Sequence, residues 1–255
     1  MLRKPLVVSF LALGLTFAPT IAAAGEGAGC TQGSSQASMT LQTVVDKHLK
    51  AMGGKERIKA AKTFQITTRV TEGTTVTTST LRRARPNLLR NDMDTNGAQV
   101  TRLFDGQQGW VVEGTAAPKQ VSQELNALMA EGAVFDDALL DPKARGVVTL
   151  ALDGTVEVEG APAFKLVLTR ARETEVRFID AKSFLEVRRT YAGTQEGKAF
   201  NKTMAFSDYR DVDGIMLSHH VRWEADGKPG EKVVQSARYD APVDAATFKA
   251  TTPRS

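Results

Sequence analysis

The sequence has little of the chemistry that marks disulfide-stabilised or metal-binding proteins. Its 255 residues contain one cysteine, Cys30, which excludes an internal disulfide and any metal site built from several cysteines. Only 3 histidines are present, and the adjacent His219 and His220 would point to opposite faces of a strand. We therefore predict no metal site and no cofactor.

Charge of one sign is also not in excess. The chain has 33 Lys and Arg against 29 Asp and Glu, a formal net charge of +4, whereas binding to nucleic acid needs basic residues concentrated on one face. The sequence has no G-x-S-x-G elbow, Walker loop or Rossmann glycine fingerprint. We predict no nucleic-acid partner and no enzymatic activity.

The N-terminal segment has the features of an export signal. Arg3 and Lys4 precede an uncharged run over residues 6–24, and the run ends in three alanines that match the pattern read by signal peptidase. We predict a signal peptide over residues 1–24 and a periplasmic location. An uncleaved anchor is the alternative, since the run approaches the ~20 residues that span a bilayer, but Pro19 and the small-residue end disfavour it.

Cys30 lies in a segment that cannot form a core. Residues 25–39 are rich in Gly, Ser, Gln, Thr and Ala, which predicts a flexible linker. The sequence GAGC (27–30) has the small residues that precede a lipidated cysteine. Acyl chains at Cys30 would tether the protein to a membrane, and without them Cys30 is a free thiol. We predict membrane association only if Cys30 is lipidated.

The folded domain, predicted over residues 40–255, opens with a helix. Apolar residues recur at helical spacing at Leu41, Val44, Val45, Leu49 and Met52. Thr40 can cap the start of this helix, and the two glycines at 53–54 can end it. A further one or two helical turns are expected over residues 55–61.

From residue 64 the apolar period changes to two, which is typical of strands with one buried face. This alternation, with turn signals such as Asp105–Gly106 and a break at Asp153–Gly154, predicts about ten or eleven antiparallel strands. Over residues 118–140 the apolar residues return to helical spacing. This interruption predicts two short helices inserted between strands.

A single antiparallel sheet of this length must curl, because large flat sheets rarely persist and their edges need protection. We predict a mainly β protein with some helix: one antiparallel sheet curled into an incomplete, open β-barrel, with an N-terminal helix and a two-helix lid. A barrel that its own side chains do not fill encloses a cavity. The Val, Leu, Ile and Met of this chain would make such a cavity suitable for an acyl chain.

Four segments resemble a known family. They are AMGGKERIKA (51–60), FDGQQGW (104–110), the stretch from FSDYR (206–210) to DGIM (213–216), and PVD (242–244) followed by Phe248. Together they resemble the bacterial outer-membrane lipoprotein-sorting proteins, relatives of the LolA/LolB lipoprotein carriers, over about residues 41–250. The resemblance implies a LolA/LolB-like periplasmic barrel whose apolar cavity holds acyl chains of lipoproteins or lipids.

With this resemblance, apolar residues of the predicted strands and lid become candidates for ligand binding. The candidates on the cavity wall are Phe64, Ile66, Val76, Phe104 and Trp110, and those on the lid are Leu125, Leu128, Met129, Phe135 and Leu139. The alternative is that these residues simply fill a dry core. Cys30 is the candidate lipidation site.

The sequence therefore predicts a periplasmic binding or carrier protein for an acylated lipoprotein or a lipid. One alternative is a regulatory or adaptor domain on the same scaffold, which senses lipoproteins or contacts an envelope protein. Another is an envelope lipid hydrolase, which would depend on one specific Ser or His. One scaffold can host several functions, so the fold alone does not decide among them.

Overall fold

The computed structural model describes residues 39–195 and 197–250. The predicted signal peptide over residues 1–24, nearly all of the linker and Cys30 lie outside the described residues. Among residues 39–195 and 197–250, none of the helices combines the length and the apolar composition needed to span a membrane.

Residues 39–195 and 197–250 contain three α-helices and thirteen strands. The helices are α1 (Leu41–Ala51), α2 (Lys55–Ala60) and α3 (Gln123–Ala133), and a short 3-10 helix lies at Ala245–Phe248. The strands are β1 (Thr63–Glu72), β2 (Thr75–Ala84), β3 (Leu88–Thr95), β4 (Ala98–Phe104), β5 (Gly109–Glu113), β6 (Lys119–Gln120), β7 (Thr149–Val158), β8 (Ala161–Thr169), β9 (Glu173–Asp180), β10 (Glu186–Gln195), β11 (Lys198–Val212), β12 (Ile215–Ala225) and β13 (Lys228–Tyr239).

All thirteen strands form one antiparallel sheet, in the order β6-β5-β4-β3-β2-β1-β13-β12-β11-β10-β9-β8-β7. The chain thus forms two meanders, β1–β6 and β7–β13, which join where the first strand pairs with the last. Strands β6 and β7 are the two edges and do not pair with each other. This is the single, curled, unclosed antiparallel sheet predicted from the sequence.

The helices cover the inner face of the sheet in two separate places. Helix α1, capped by the Thr40 side chain, packs Val44 and Leu49 against Leu166 and Leu168 of β8. Helix α3 instead packs against β3, β4 and β5 through a smaller cluster that contains Phe104, Met129 and Ala133. The two halves of the sheet therefore have separate apolar cores, and space remains between them.

Two of the four segments that resemble the sorting proteins meet in space. Gly53 has a φ of +117°, and a Cβ there would lie 2.2 Å from the carbonyl oxygen of Gly214. The Met216 N–H donates to the Met52 carbonyl at 3.0 Å, and Arg57 Nε donates to the Asp213 carbonyl at 2.8 Å. These bonds fix the α1–α2 junction to the turn between β11 and β12. Only glycine at position 53 allows so close an approach of the two segments.

The structure differs from the sequence prediction in two local details. Only the first of the two inserted helices forms, as α3, while residues 134–147 are turns and irregular backbone. The predicted break at Asp153–Gly154 is a bulge within the continuous strand β7, where the register shifts between Leu152 and Thr155. A glycine with positive φ, here Gly154 at +75°, suits a bulge as well as a turn.

Candidate functional site

A cavity of 270 Å³ lies between the two cores, on the inner face of the sheet. Helices α1 and α2 form one side of it, strands β1, β2 and β9–β13 form its floor, and residues 135–140 complete its lining. Most of its lining is aliphatic or aromatic, including Phe64, Phe206, Met216, Leu217 and Val221. The ring of Phe64 stacks on that of Tyr239, with centroids 4.5 Å apart.

Charged side chains also line this cavity, and one group of them is tightly paired. Arg177 Nε donates to Glu175 at 2.6 Å, and Arg177 Nη1 donates to Asp137 at 2.7 Å. Arg170 Nη1 contacts the other oxygen of Glu175 at 2.6 Å. Burial alone would raise the pKa of Asp137, but attraction to Arg177 outweighs it and holds the pKa well below its ordinary value.

A second group of charges lies on β10. Arg189 Nε donates to Glu186 at 2.7 Å, and Arg189 Nη1 contacts the Tyr191 hydroxyl at 3.1 Å. The Tyr209 hydroxyl donates to the Glu186 backbone carbonyl at 2.8 Å. Burial raises the pKa of Tyr209, so this phenol stays a neutral donor at physiological pH. These bonds fix Arg189 and Tyr209 as rigid parts of the cavity wall.

Helix α1 contributes the buried His48. Its Nδ1 lies 2.8 Å from the carbonyl oxygen of Phe184, which can only accept, so Nδ1 carries the proton and donates. Burial lowers the pKa of His48 below its ordinary 6.5. His48 is therefore neutral near pH 7 and does not add charge to the cavity.

Residues 134–140, here called the strap, line one side of the cavity. Arg85 pairs with both oxygens of Asp136, and its guanidinium carbon lies 4.5 Å from the ring centroid of Phe135. Arg85 Nε donates to the Ala61 carbonyl at 2.7 Å, which fixes the arginine itself. Arg177 holds the strap at Asp137. The strap is thus tethered to both halves of the sheet by ion pairs.

Two cationic side chains of the cavity, those of Arg83 and Lys232, have no carboxylate partner among the described residues. Within residues 39–195 and 197–250, neither Arg83 nor Lys232 takes part in an ion pair or a side-chain hydrogen bond. The Nε atom of Arg83 is fully buried without a partner. Arg83 lies on β2 directly opposite Phe64 of β1, and Lys232 lies on β13 opposite Val221 of β12. All four residues line the cavity.

A groove runs along the exposed side of α3. It separates α3 from the turn between β8 and β9 and from the nearby ends of β10 and β11. Its two adjoining parts measure 1120 and 540 Å³ and share Glu124, Ala127 and the turn residues 170–173. Leu128, which is 44% exposed, lines the smaller part. The groove is more polar than the cavity, and the strap residue Val134 lies on its wall.

One row of polar side chains on the outer face has the composition of a hydrolase triad. Ser207 Oγ lies 3.3 Å from His220 Nδ1, and His220 Nε2 lies 2.6 Å from Glu231. Ser207 is exposed, and none of the cavities and grooves described above is lined by these three residues.

Metal binding finds no support in the described part of the chain. Within residues 39–195 and 197–250, no three His, Cys, Asp or Glu side chains are grouped so as to hold a metal ion. The carboxylates near the cavity are instead engaged by arginines.

Neither the known protein-family models nor the curated proteins give a match to this chain. Solved structures do match. A LolA superfamily protein from Nitrosomonas europaea superposes with a TM-score of 0.58 at 11% identity, over 82% of this chain and 98% of the other. A domain described as an outer-membrane lipoprotein-sorting protein from Vibrio parahaemolyticus gives 0.56 at 11% identity, over 82% and 95%. The chain has a LolA-like fold.

A third match extends the same fold to another family. A DUF1329 family protein from Desulfovibrio piger superposes with a TM-score of 0.54 at 15% identity, over 82% of this chain and 97% of the other. Each of these three structures is matched over nearly its whole length. At these identities the likeness concerns the fold.

The LolA-like fold separates the sequence-predicted ligand residues. Phe64 and Phe135 line the central cavity. Phe104, Leu125 and Met129 lie in the contact between α3 and the sheet, Leu139 lies in the core beside α1, Ile66 is buried on the inner face of β1, and Leu128 lines the groove.

Two predicted wall residues lie on the opposite face of the sheet. Trp110 pairs with Leu103, so it points away from the neighbouring inner residue Phe104, and its Nε1 donates to Asp105 at 3.0 Å. Val76 alternates with the inner positions of β2 and also points outward. Strand periodicity identifies the two faces but not which of them is concave, so these two positions differ from the prediction.

The charged lining of the cavity was not predicted from the sequence. Arg83, Arg177, Glu186, Arg189 and Lys232 all occupy inner-facing positions. One signal in the sequence was available. Charged residues stand at every second position of a strand, on the same face as a buried apolar residue: Glu175, Arg177 and Ile179 alternate along β9 and are all buried. Pairing between opposite charges makes such burial tolerable.

Proposed function

We propose that the protein binds the acyl chain of a lipid or lipoprotein in the central cavity and serves as a binding or carrier protein in the cell envelope, without catalysing a reaction. The observation that carries this proposal is the mainly apolar cavity beneath a tethered strap, in a LolA-like fold. Ligand sites are commonly concave and apolar with a few placed polar groups, which matches this cavity.

The size of the cavity indicates how a ligand would enter. At 270 Å³ it lies slightly below the ~300 Å³ at which small-molecule sites begin. A complete acyl chain therefore requires the strap to move away from Arg85 and Arg177. A ligand that replaces the strap's contacts shifts the protein toward the open form, and modest differences in affinity then pass the ligand to the next partner.

The envelope location rests on the predicted signal peptide, and membrane attachment rests on lipidation of Cys30. An acylated lipoprotein or lipid would be the cargo, and an envelope protein that delivers or receives it would be the partner. Mass spectrometry of the protein purified from its native envelope tests these points, since one spectrum reports the mature N-terminus and any acyl group on Cys30.

A pair of tryptophan variants tests the site of acyl binding. Met216→Trp places an indole in the central cavity, and Leu128→Trp, the matched control, places one in the groove beside α3. Both proteins are stripped of lipid, checked for cooperative melting and titrated with a fluorescent fatty acid. We expect wild type and Leu128→Trp to bind about equally and Met216→Trp to lose binding.

Other results would reject the proposal in different ways. Loss of binding in Leu128→Trp but not in a folded Met216→Trp would move the acyl site to the groove. If the wild type binds no acyl ligand but forms a stable one-to-one complex with an envelope protein, the domain is a regulatory adaptor. Turnover of lipid esters that ends on replacing Ser207 would make it a hydrolase.

A further inference from the structure

The central cavity contains positive charge that the described residues do not balance. Arg177 is paired with Asp137 and Glu175, and Arg189 is paired with Glu186. After these pairs are set aside, Arg83 and Lys232 remain on the cavity wall without a carboxylate partner among residues 39–195 and 197–250.

The surroundings of Arg83 make its charge costly. Its Nε is buried and bonded to nothing in the described structure. Burial and, second to it, repulsion from Arg145 lower the pKa of Arg83 from 12.5 to about 10. Arg145 itself has a buried Nε without a partner. An arginine in this position destabilises the empty protein, because a buried charge is normally paired.

Lys232 is in a similar position on β13. Burial lowers its pKa, and repulsion from Lys202, Arg189 and Arg83 lowers it further. The cationic side chains of Arg83 and Lys232 therefore repel each other within one cavity. A protein keeps such unfavourable charge where function requires it, as at sites whose ligand supplies the opposite charge.

We propose that the ligand of the central cavity is an anionic amphiphile whose phosphate or carboxylate pairs with Arg83 in the field of Lys232. This inference rests on the proposed function and adds the head group to it. The stacked rings of Phe64 and Tyr239 lie beside Arg83 in the sheet and would contact the first methylenes of the chain. A guanidinium suits this role because its donors match both oxygens of a carboxylate or phosphate.

The test compares ligands that share one acyl chain and differ in the head group. Myristate and myristoyl-lysophosphatidylglycerol are anionic, monomyristoylglycerol is neutral, and inorganic phosphate provides the anion without a chain. Each is titrated by calorimetry into lipid-free wild type, Arg83→Gln and Arg82→Gln. Arg82 is the matched control, since it is the next residue on β2, faces outward and pairs with Asp92 at 2.7 Å.

We expect the wild type and Arg82→Gln to prefer both anionic lipids over the neutral one. Arg83→Gln should lose about tenfold to a hundredfold in affinity for the anionic lipids, the range for a charge-assisted hydrogen bond, and keep its affinity for monomyristoylglycerol. Its melting temperature without ligand should equal or exceed that of the wild type, because an unpaired buried charge has been removed. Inorganic phosphate alone should bind far more weakly than the anionic lipids.

Several outcomes would overturn the inference. Equal affinity of the wild type for anionic and neutral lipids rejects the head-group site and leaves the proposed function standing, whereas no binding of any lipid rejects both. If Arg83→Gln loses affinity for anionic and neutral lipids equally, Arg83 is a structural residue. Inorganic phosphate binding as tightly as the lipids would make the cavity a phosphate site. If Arg83→Gln does not fold, an unchanged preference in Lys232→Met overturns the inference.

Discussion

Replacing Asp136 with asparagine should loosen the strap without unfolding the protein. Asp136 accepts from two nitrogens of Arg85, one of them at 2.7 Å. Arg85 keeps its bonds to the Ala61 and Ile58 carbonyls and its contact with Phe135 when the carboxylate is lost. The substitution therefore weakens one tether of the strap and leaves the arginine in place.

The magnitude follows from the exposure of the pair. The side chains of Arg85 and Asp136 are 28% and 20% exposed, between a surface pair and a buried one. A surface ion pair contributes about 0–1 kcal/mol, and loss of one partner of a buried pair costs about 3–5 kcal/mol. We take about 1.5 kcal/mol for Asp136→Asn, which makes strap opening about tenfold more frequent at ~1.4 kcal/mol per factor of ten.

Hydrogen exchange followed by mass spectrometry measures this opening directly. The Leu139 N–H donates to the Asp137 side chain at 2.8 Å, and the Leu140 N–H donates to the Asp137 carbonyl at 3.0 Å, so both report on the strap. Peptides over residues 134–140 should exchange about tenfold faster in Asp136→Asn, while peptides from β8 keep their wild-type rates.

A second aspartate provides the control. Asp153→Asn removes an ion pair with Lys165 at 2.7 Å, which joins β7 to β8 and includes no strap residue, and should leave exchange of residues 134–140 unchanged. The reasoning is refuted if Asp136→Asn leaves strap exchange at the wild-type rate. An equal acceleration in the strap and in β8 would also refute it, since that is the pattern of global destabilisation.

Three further predictions concern stability and catalysis. Glu175→Gln should lower the free energy of unfolding, measured in urea, by about 3 kcal/mol, because it removes the buried carboxylate shared by Arg170, Arg177 and Arg189 and leaves their charge only partly balanced. The more exposed Glu173→Gln should cost at most about 1 kcal/mol; equal costs would contradict the buried network. Since the pKa of His48 is lowered on folding, the unfolded state takes up a proton first, and stability should fall as pH drops below about 6.5. His48→Gln should remove this dependence between pH 7 and 5, and an unchanged slope would assign it to another group. Ser207→Ala should leave acyl binding unchanged, and the wild type should hydrolyse no lipid ester that the variant does not.

The architecture was predictable from the sequence because its signals are local. The helical stripe from Leu41 to Met52 packs α1 on the sheet, Thr40 caps it, and the alternation after residue 64 predicts strand after strand. An antiparallel sheet of consecutive hairpins needs no information beyond neighbouring strands, except at the contact between β1 and β13. The LolA-like fold follows from such patterns together with the need to bury one face.

The site was less predictable because its residues do not follow the rule that the apolar residues of a strand are buried and the charged residues exposed. Along β9 the apolar residues Val176 and Phe178 are half-buried, while Glu175 and Arg177 are buried. A buried charge is allowed only by its partner, and the partners of Arg177 come from its own strand and from the strap at Asp137. Sequence spacing does not reveal a contact between residues forty positions apart.

The prediction of two helices over residues 118–140 was correct only for the first, α3. Leu125 and Met129 form a stripe that packs α3 against the sheet, whereas Phe135 and Leu139 belong to the irregular strap. Apolar residues at helical spacing can also belong to an irregular backbone that ion pairs hold in place, as the ion pairs of Arg85 and Arg177 do here. Tertiary contacts then replace the missing helical hydrogen bonds.

The pairing of β1 with β13 has a consequence for how this chain reaches its native state. Each meander can form from contacts between neighbours in sequence, which is fast, but Phe64 must find Tyr239 from almost the other end of the domain. We expect the joining of the two meanders to limit the folding rate, with each half already partly formed. Once the two meanders are joined, the sheet is continuous across β1 and β13, and its edges at β6 and β7 are not joined to each other. Bending of the sheet about β1 and β13 would therefore change the distance between these edges without breaking a hydrogen bond between paired strands.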